Sequence, residues 1–395
     1  MATNSKIGVP QTEQQEMNTS IDSYEAYVTR VSSENIPCYE PSLGAAEIAL
    51  LTDVINRNWL SESKYTREFE KRLAVICERK YGLAFSNATA AMITGMKSLG
   101  IGQGDEVIVP SFTHSADPNS ISNTGAIPVF ADVNEATLCL DVNTVDAVRS
   151  PKAKAILYVS LYGNCSDLTA LSSYARKNGL YLINDCAPAL AGTFRKRKIS
   201  SFGDFAALSF FADKTITTGE GGMLLTDDAG LLAECNIYKH DGRRERGVDV
   251  IERRGFNFRI TELQAAIGVA QLDKLDYFIK RKKEVYAAYE RQLSSIPGVT
   301  LFRFNPDCDA VPHRVLIFVP NAASLIAYLE KAGVGVRTTF MPMHSQPCYG
   351  IKKSFPVTER LYATGVCLPS APTLTQANIE FVGDAIRQFY TKGKR

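Results

Sequence analysis

The sequence predicts an α/β fold in which helices cover both faces of a large, mostly parallel sheet. Short apolar segments typical of strands alternate with amphipathic segments typical of helices from residue 82 to residue 184, and this alternation indicates a parallel sheet. The chain has 395 residues, of which 45% are hydrophobic and 22% are charged, so it is long enough for a large domain and a smaller one. Ligands of such sheets bind beyond the carboxyl ends of the strands.

The helices are predicted from apolar residues that recur at spacings of three and four. Two helices are expected at 45–57 and 66–80, and a third at 87–99, where Asn87 can cap the first turn. Further helices are expected at 118–124, 142–149 and 168–178. A long helical stretch at 261–293 has the length of a connector between two domains.

The strands are predicted from short apolar runs that are bounded by turn-forming residues. They are expected at 82–86, 106–110, 127–130, 155–160, 180–184 and 205–211. Residues 298–395 contain one more strand, at 315–319, and two amphipathic helices. The predicted division is therefore a polar tail at 1–36, in which 20–31 can form a short helix, a large α/β domain at 37–275 and a small α+β domain at 276–395.

Charge and cysteine content exclude several classes of function. The formal net charge is +2, from 44 basic and 42 acidic residues, which gives no field that would attract nucleic acid or an anionic membrane. The nine cysteines form no C-x-x-C pair and no cluster with metal-ligand spacing, so no metal site is expected and the thiols are typical of a reduced, cytoplasmic protein. No signal peptide and no membrane helix is predicted.

Lys214 is the strongest candidate for a catalytic residue. It lies between the apolar run 205–211 and the glycine-rich turn TTGEGG at 217–222. A lysine at the end of a buried strand can act as a nucleophile toward an aldehyde when its surroundings favour the neutral amine. The alternative is an ordinary solvated surface lysine, and the neighbouring motifs decide between the two.

Four other features suit one cofactor. The helix that begins after Asn87 can hold a phosphate through its first amides and the Thr89 hydroxyl, although a plain helix cap would look the same. Asp185 follows the apolar run 180–183 and can either cap a helix or pair with a pyridine nitrogen. Ser209 can donate to a phosphate, and the His114 ring can stack on a flat cofactor or be an ordinary loop histidine. Together with Lys214 they favour pyridoxal 5′-phosphate.

The chain also resembles the DegT/DnrJ/EryC1/StrS sugar aminotransferases from about residue 37 to residue 390. The matching motifs are NWLS at 58–61, SNATAA at 86–91, GQGDEVIVPSFT at 102–113, DCA at 185–187, SFGD at 201–204, SFFADKTITTGEGG at 209–222 and GFNFRITELQAAIG at 255–268. Within the family, the segments at 213–223, 340–344 and 368–374 are similar to those of GDP-perosamine synthase-like nucleotide-sugar 4-aminotransferases. The resemblance implies fold type I of the pyridoxal-phosphate enzymes, the fold of aspartate aminotransferase.

The resemblance also implies a function. It is the transfer of an amino group from L-glutamate, in two half-reactions, to the keto carbon of a nucleotide-linked 4-keto-6-deoxy sugar. The expected carbon is C4, and the product would serve the synthesis of O-antigen, lipopolysaccharide or a related glycan. The nucleotide and the sugar stay open.

The resemblance assigns roles to individual residues. Lys214 would bind the cofactor aldehyde and move the proton, and Asp185 would pair with the ring nitrogen. His114 would stack on the ring. The phosphate would be held by Ala88 through its backbone, by Thr89 and Ser209, and by Asn257 of a neighbouring subunit, which implies a homodimer with shared active sites; the alternative for Asn257 is a turn residue. The substrate-binding residues would be Glu220, Arg337 and His344.

Three positions depart from the family pattern, and two other functions stay open. Pro188 stands where the family usually has a Gln, His or Glu beside the ring hydroxyl. His114 replaces the more usual Phe, Tyr or Trp, and Ala88 replaces a glycine. The alternatives are a pyridoxal-phosphate-dependent sugar dehydratase, whose relatives carry histidine at the position of Lys214, and a cofactor-binding sensor without turnover. A dinucleotide-dependent oxidoreductase is disfavoured because no G-x-G-x-x-G motif opens the first helix.

Overall fold

The computed structural model describes residues 35–245 and 247–392. The tail predicted at 1–36, with its helix at 20–31, therefore lies outside the described residues apart from Asn35 and Ile36. The backbone amides of both residues donate to Gly333 O, at 3.0 and 3.1 Å. The described chain thus begins packed against its own C-terminal segment.

The elements follow the predicted alternation of helix and strand. The helices are α1 Ala45–Asn56, α2 Lys64–Ile76, α3 Ala88–Ser98, α4 Ala116–Thr124, α5 Val142–Asp146, α6 Leu168–Lys177, α7 Ala229–Lys239, α8 Glu262–Asp273, α9 Leu275–Leu293, α10 Ala322–Lys331, α11 Pro356–Thr364 and α12 Gln376–Lys392. The strands are β1 Tyr81–Phe85, β2 Glu106–Pro110, β3 Ile127–Ala131, β4 Ala153–Val159, β5 Tyr181–Asp185, β6 Thr193–Phe194, β7 Arg197–Lys198, β8 Phe205–Ser209, β9 Gly222–Thr226, β10 Thr300–Leu301, β11 Cys308–Asp309, β12 Val315–Phe318, β13 Arg337–Thr338 and β14 Gly365–Leu368. Short 3₁₀ turns lie at Leu161–Gly163, Ile199–Ser201 and Met343–Ser345.

A seven-stranded sheet forms the centre of the fold, in the order β1-β9-β8-β5-β4-β2-β3. Strands β8, β5, β4, β2 and β3 run parallel to one another, whereas β9 is antiparallel to both β8 and β1. The C-terminal segment adds an antiparallel sheet in the order β10-β12-β14-β13, and a small third sheet pairs β11 with β6 and β7. The mostly parallel α/β sheet predicted from the sequence is confirmed.

Three local predictions were wrong. The helical stretch predicted at 261–293 is two helices, because Lys274 leaves the helical conformation (φ −101°, ψ 0°) between α8 and α9. The C-terminal segment has three helices, not two; the additional one, α11, is short and opens with Pro356. Strand β8 ends at Ser209, because Phe210 and the residues after it turn back on themselves, with Thr218 N donating to Phe210 O at 2.9 Å.

Two apolar clusters are buried in the described chain. The larger surrounds the seven-stranded sheet, and the smaller fills the space between α9, α10, α12 and the C-terminal sheet, with Tyr289, Val315, Ile317 and Leu325 at its centre. The larger cluster also takes in residues beyond 276, such as Phe278, and the domain boundary at 275/276 stays a prediction. In the part of the chain that the structure describes, no helix is long and apolar enough to cross a membrane, and no cluster of His, Cys, Asp or Glu could hold a metal ion.

Glycine at position 222 allows β9 to approach the N-terminus of α3. A Cβ atom on Gly222 would lie 2.3 Å from the backbone carbonyl carbon of Asn87 and 2.5 Å from Ala88 N, distances that no real carbon atom tolerates. Gly222 also pairs with Ser209 at the end of β8. This contact therefore fixes the first turn of α3 next to the carboxyl end of β8.

Glu262 joins α8 to the start of α2. Its carboxylate is fully buried and accepts hydrogen bonds from Ser63 N at 2.8 Å, Tyr65 N at 2.7 Å and Thr66 Oγ1 at 2.8 Å. The first amides of a helix have no partners within the helix itself. The negative charge of Glu262 satisfies these amides of α2 and also interacts favourably with the helix dipole.

We expect Glu262→Gln to lower the free energy of unfolding by about 2 kcal/mol, because one oxygen of the carboxylate becomes an amide donor that faces backbone donors. Urea denaturation measures the change. The matched control is Glu68→Gln, which alters a half-buried glutamate of α2 that pairs with Arg72 and should change the stability by less than about 0.5 kcal/mol. Equal effects of the two substitutions would contradict the role of Glu262.

Candidate active site

A cavity of about 670 Å³ lies where the carboxyl ends of β5 and β8 meet the N-terminus of α3. The large sheet and the C-terminal segment both contribute to its walls. The predicted site residues that line it are Ala88, Thr89, His114, Asp185, Ser209, Lys214, Glu220 and Arg337. Asn257 and His344 belong to the described chain but do not line the cavity.

Lys214 lies in the turn that follows β8. Its amide donates to Phe211 O at 3.0 Å, which closes the turn. The side chain is 18% exposed, and its Nζ atom is 3.1 Å from Asp213 Oδ1. The ammonium group is thus partly withdrawn from water, paired with one carboxylate and open to the cavity.

The N-terminus of α3 is arranged as an anion site. Asn87 caps the helix by accepting a hydrogen bond from Ala90 N at 2.8 Å, and this leaves the amides of Ala88 and Thr89 at the cavity. Amides of a first helical turn have no partner within the helix, and the helix dipole places partial positive charge there. Thr89 and Ser209 also line this cavity. Backbone amides and side-chain hydroxyls are therefore available as donors to a phosphate.

Asp185 ends β5, and its carboxylate is at the cavity. Its Oδ1 atom accepts a hydrogen bond from Ala187 N at 2.9 Å. Burial raises the pKa of this carboxyl, while the Ala187 amide and the Lys214 ammonium act in the opposite direction. A carboxylate at the end of a central strand is rigidly placed, as a partner for a ring nitrogen must be.

Aromatic rings line another part of the cavity. The rings of Tyr162 and Phe340 are stacked, with centroids 5.7 Å apart and an interplanar angle of 20°. The His114 ring lies edge-on to Phe340 at 5.9 Å, and its Nδ1 atom accepts a hydrogen bond from Ala116 N at 3.1 Å. That bond fixes the orientation of the imidazole and leaves its face for a planar ligand.

Three site residues were not predicted from the sequence: Asp213, His313 and Arg314. The guanidinium of Arg314 donates to Asp213 Oδ2, and His313 Nε2 lies 3.9 Å from Asp213 Oδ1. Burial alone would raise the pKa of Asp213, but His313, Lys214 and Arg314 hold it well below its usual range. Burial lowers the pKa of His313 to about 3, so that ring is neutral. The basic pair His313–Arg314 directly before an apolar strand was the available sequence signal.

The remaining predicted residues have different surroundings. Arg337, in β13, is exposed and lies 5.0 Å from the centroid of the Tyr39 ring. Burial raises the pKa of the Glu220 carboxyl. His344 is buried outside the cavity, with Nδ1 at 2.6 Å from Ser111 Oγ, because its segment packs against the strand end that carries Ser111. Asn257 is exposed and forms an isolated bridge with His240.

The residues present fit pyridoxal phosphate, with one exception. The cavity combines a helix N-terminus for the phosphate, a buried carboxylate for the ring nitrogen, a planar side chain and one partly buried lysine. The exception is Pro188, which lines the cavity but has no side-chain group that can hydrogen-bond to a ring hydroxyl.

Several known proteins are similar to this chain over most of their length. Residues 41–387 match the DegT/DnrJ/EryC1/StrS aminotransferase family. The chain is 35% identical to the GDP-perosamine synthase of Escherichia coli O157:H7, over 90% of this chain and 99% of that protein. It is 32% identical to the spore coat polysaccharide biosynthesis protein SpsC of Bacillus subtilis, over 89% of this chain and 96% of that protein.

The fold also matches a solved structure. The crystal structure of DesV from S. venezuelae superposes with a TM-score of 0.84 at 30% identity, over 87% of this chain and 94% of that chain. The predicted resemblance, fold class, enzyme class and cofactor are thereby confirmed. This protein belongs to the DegT/DnrJ/EryC1/StrS aminotransferase family, has fold type I and uses pyridoxal phosphate.

Proposed function

We propose that this aminotransferase moves an amino group from L-glutamate to C4 of a nucleotide-linked 4-keto-6-deoxy sugar. The observation that carries the proposal is the meeting of Lys214, Asp185 and the N-terminus of α3 at one cavity, in a chain 35% identical to a GDP-perosamine synthase. The similarity to a spore coat polysaccharide protein supports a role for the product in a surface glycan such as O-antigen or lipopolysaccharide. The nine cysteines of the chain, which form no disulfide in the described residues, support a reducing, cytoplasmic location.

Each residue at the cavity has a proposed role. Lys214 Nζ binds the cofactor aldehyde and then holds and returns the proton during transfer. Asp185 keeps the ring nitrogen protonated, and His114 orients the ring by stacking on it. Bound pyridoxal phosphate supplies the electron sink that makes proton removal at the adjacent carbon feasible.

The phosphate is held by several donors at once. We assign the amides of Ala88 and Thr89, the Thr89 hydroxyl and the Ser209 hydroxyl to it, because they surround the N-terminus of α3. Backbone amides at a helix N-terminus bind phosphate through both hydrogen bonds and the helix dipole. These donors would hold the phosphate end of pyridoxal phosphate at the N-terminus of α3, at the cavity that Lys214 also lines.

The substrate is recognised at the other side of the cavity. Arg337 can pair with a diphosphate through its planar guanidinium, and the adjacent Tyr39 ring offers a flat surface to a base or sugar. Glu220 lies in the glycine-rich turn beside Lys214 and can accept hydrogen bonds from sugar hydroxyls. His344 does not line the cavity. Its proposed contribution to substrate binding is indirect, through its hydrogen bond with Ser111.

A homodimer with shared active sites completes the proposal. Several large apolar side chains in turns and loops of the described chain are exposed to solvent. Their exposed fractions are 55% for Trp59, 54% for Leu60, 39% for Phe211, 63% for Val250 and 63% for Ile251. Exposed large apolar side chains of this kind can be covered by another subunit. Asn257, which is exposed in the same region of the sequence, then reaches the phosphate of the neighbouring subunit.

Pro188 favours one alternative, a cofactor-binding sensor without turnover. The second alternative, a dehydratase, is disfavoured because the chain carries Lys214 where relatives with that activity carry histidine. Both alternatives predict pyridoxal phosphate binding, and they differ from the proposal in the response to L-glutamate and keto-sugar.

Borohydride reduction of the cofactor-loaded protein is expected to leave a pyridoxyl group on Lys214, because this lysine is partly buried and faces the cavity. Mass spectrometry of a proteolytic digest locates the label. In the matched control Lys282→Met, another buried ammonium near His313 is removed, and the label should stay on Lys214. A label on Lys282 in the wild type would contradict the assignment.

Turnover is expected with L-glutamate and a GDP- or dTDP-linked 4-keto-6-deoxy sugar. The formation of 2-oxoglutarate and the mass of the amino sugar measure it, and NMR of the product locates the new amine. Lys214→Ala should reduce the rate by at least about 10²–10⁴-fold, since it removes the group that moves the proton. A yellow protein whose absorbance does not respond to L-glutamate would support the sensor.

Mixing two inactive variants is expected to restore activity if the sites are shared between subunits. In a dimer of Lys214→Ala and Asn257→Ala chains, one site receives Lys214 from one chain and Asn257 from the other. About a quarter of the wild-type activity should return after the chains are exchanged, since half of the dimers are mixed and each has one complete site. No recovery, although the mixed dimer forms, would place Asn257 in the site of its own chain.

A further inference from the structure

A second carboxyl group, that of Asp117, lies beside Asp185. Asp117 is the second residue of α4 and is fully buried. One of its oxygens accepts a hydrogen bond from Thr113 Oγ1, and the other, Oδ1, has no hydrogen-bond donor within residues 35–245 and 247–392. Burial raises the pKa of both carboxyl groups, and a side-chain interaction between the two raises the pKa of Asp117 further and opposes the rise for Asp185.

Two carboxylates that face each other in a buried site repel, unless a proton lies between them. A buried oxygen without a donor is also unfavourable, and a proton shared between Asp117 and Asp185 removes both penalties. We propose, building on the function proposed above, that Asp117 is a positioning residue that holds this proton and donates it in a hydrogen bond to the Asp185 carboxylate.

The surroundings place the proton on Asp117 and the negative charge on Asp185. Asp117 is fully buried, whereas Asp185 reaches the cavity and accepts a hydrogen bond from Ala187 N. The Lys214 ammonium and His114 also face Asp185. Burial and the neighbouring Asp185 raise the pKa of Asp117 well above its ordinary value, and a pair of this kind titrates as one unit.

In the part of the chain that the structure describes, the charged groups that act on Asp117 most strongly are Asp185, at the end of β5, and Lys214, in the turn after β8. Lys97 is near the end of α3, and Glu106 is the first residue of β2.

The consequence concerns the ring nitrogen of the cofactor. Asp185 has hydrogen bonds from Ala187 N on one side and, in this proposal, from Asp117 on another, so its carboxylate cannot rotate. A fixed carboxylate is a stronger partner for a protonated ring nitrogen than a mobile one, because no orientation has to be lost on binding. Asp117 would thus act on the cofactor through Asp185, without contact of its own.

The test compares Asp117→Asn with Asp117→Leu. Asparagine keeps a donor toward Asp185, whereas leucine has similar size and no donor. We expect Asp117→Asn to bind pyridoxal phosphate within about threefold of the wild type and Asp117→Leu to bind about 10–100-fold more weakly, as for other partners that orient a binding group. Circular dichroism and thermal unfolding establish that both variants are folded, and equal affinities of the wild type and folded Asp117→Leu would overturn the positioning role.

The proton itself is visible in the infrared spectrum. The full-length protein without added cofactor should show the carbonyl stretch of a protonated carboxyl at neutral pH, and this band should vanish in Asp117→Asn but persist in Asp185→Asn. If the wild type lacks the band, the proposal of a shared proton is overturned. This measurement needs neither glutamate nor a sugar, so its outcome is independent of the aminotransferase assay. The band can be absent although turnover is observed, and it can be present although turnover is not.

The pH dependence of stability gives a third readout. Because the folded-state pKa of Asp117 is raised, the folded protein binds more protons than the unfolded chain, and the stabilisation is complete below the ordinary carboxyl pKa and is lost as the pH rises through the raised value. As the pH rises from the ordinary carboxyl pKa toward the raised value, the Tm of the wild type should therefore fall relative to that of Asp117→Asn. Parallel Tm curves for the two proteins would overturn the proposal.

Discussion

The candidate site depends on the buried carboxylate of Asp213. It is the negative charge that Lys214 and Arg314 share, and a buried cation without such a partner would lose its charge or leave the interior. Lys214 belongs to the turn after β8, whereas Arg314 directly precedes β12 of the C-terminal segment. One carboxylate thus neutralises the lysine and attaches the two parts of the chain to each other at the cavity.

Much of the fold and the centre of the site could be predicted from the sequence. The strands of the parallel sheet are continuous apolar runs, and their ends place Asp185 and Ser209 at one edge, so local patterns were sufficient. Asp213, Arg314 and Asp117 were missed because their interactions join segments that are far apart in the sequence, such as Arg314 and Asp213, which are 101 residues apart. The break at Lys274 was missed for a related reason: both flanking segments have good helical patterns, and only packing separates α8 from α9.

Asp185, the acid proposed for the ring nitrogen, and Pro188, at the position of the ring hydroxyl, differ in their capacity for hydrogen bonding. Asp185 is supported by Ala187 and is accompanied by a second carboxyl, whereas Pro188 offers no hydrogen bond at the neighbouring position. If the proposed roles hold, the electronic control of the cofactor would therefore rest mainly on the nitrogen side. This imbalance is compatible with catalysis, since the electron sink depends on protonation of the ring nitrogen.

The contact between Gly222 and the first turn of α3 constrains how this protein can vary. Every other amino acid carries a Cβ atom, which would collide with the backbone of Asn87, and backbone atoms cannot rotate away as a side chain can. A collection of random variants selected for activity should thus be as depleted at position 222 as at Lys214, although glycine has no chemical group to offer the reaction. Intolerance to substitution alone would therefore fail to separate the residues that perform the chemistry from one that only leaves room for it.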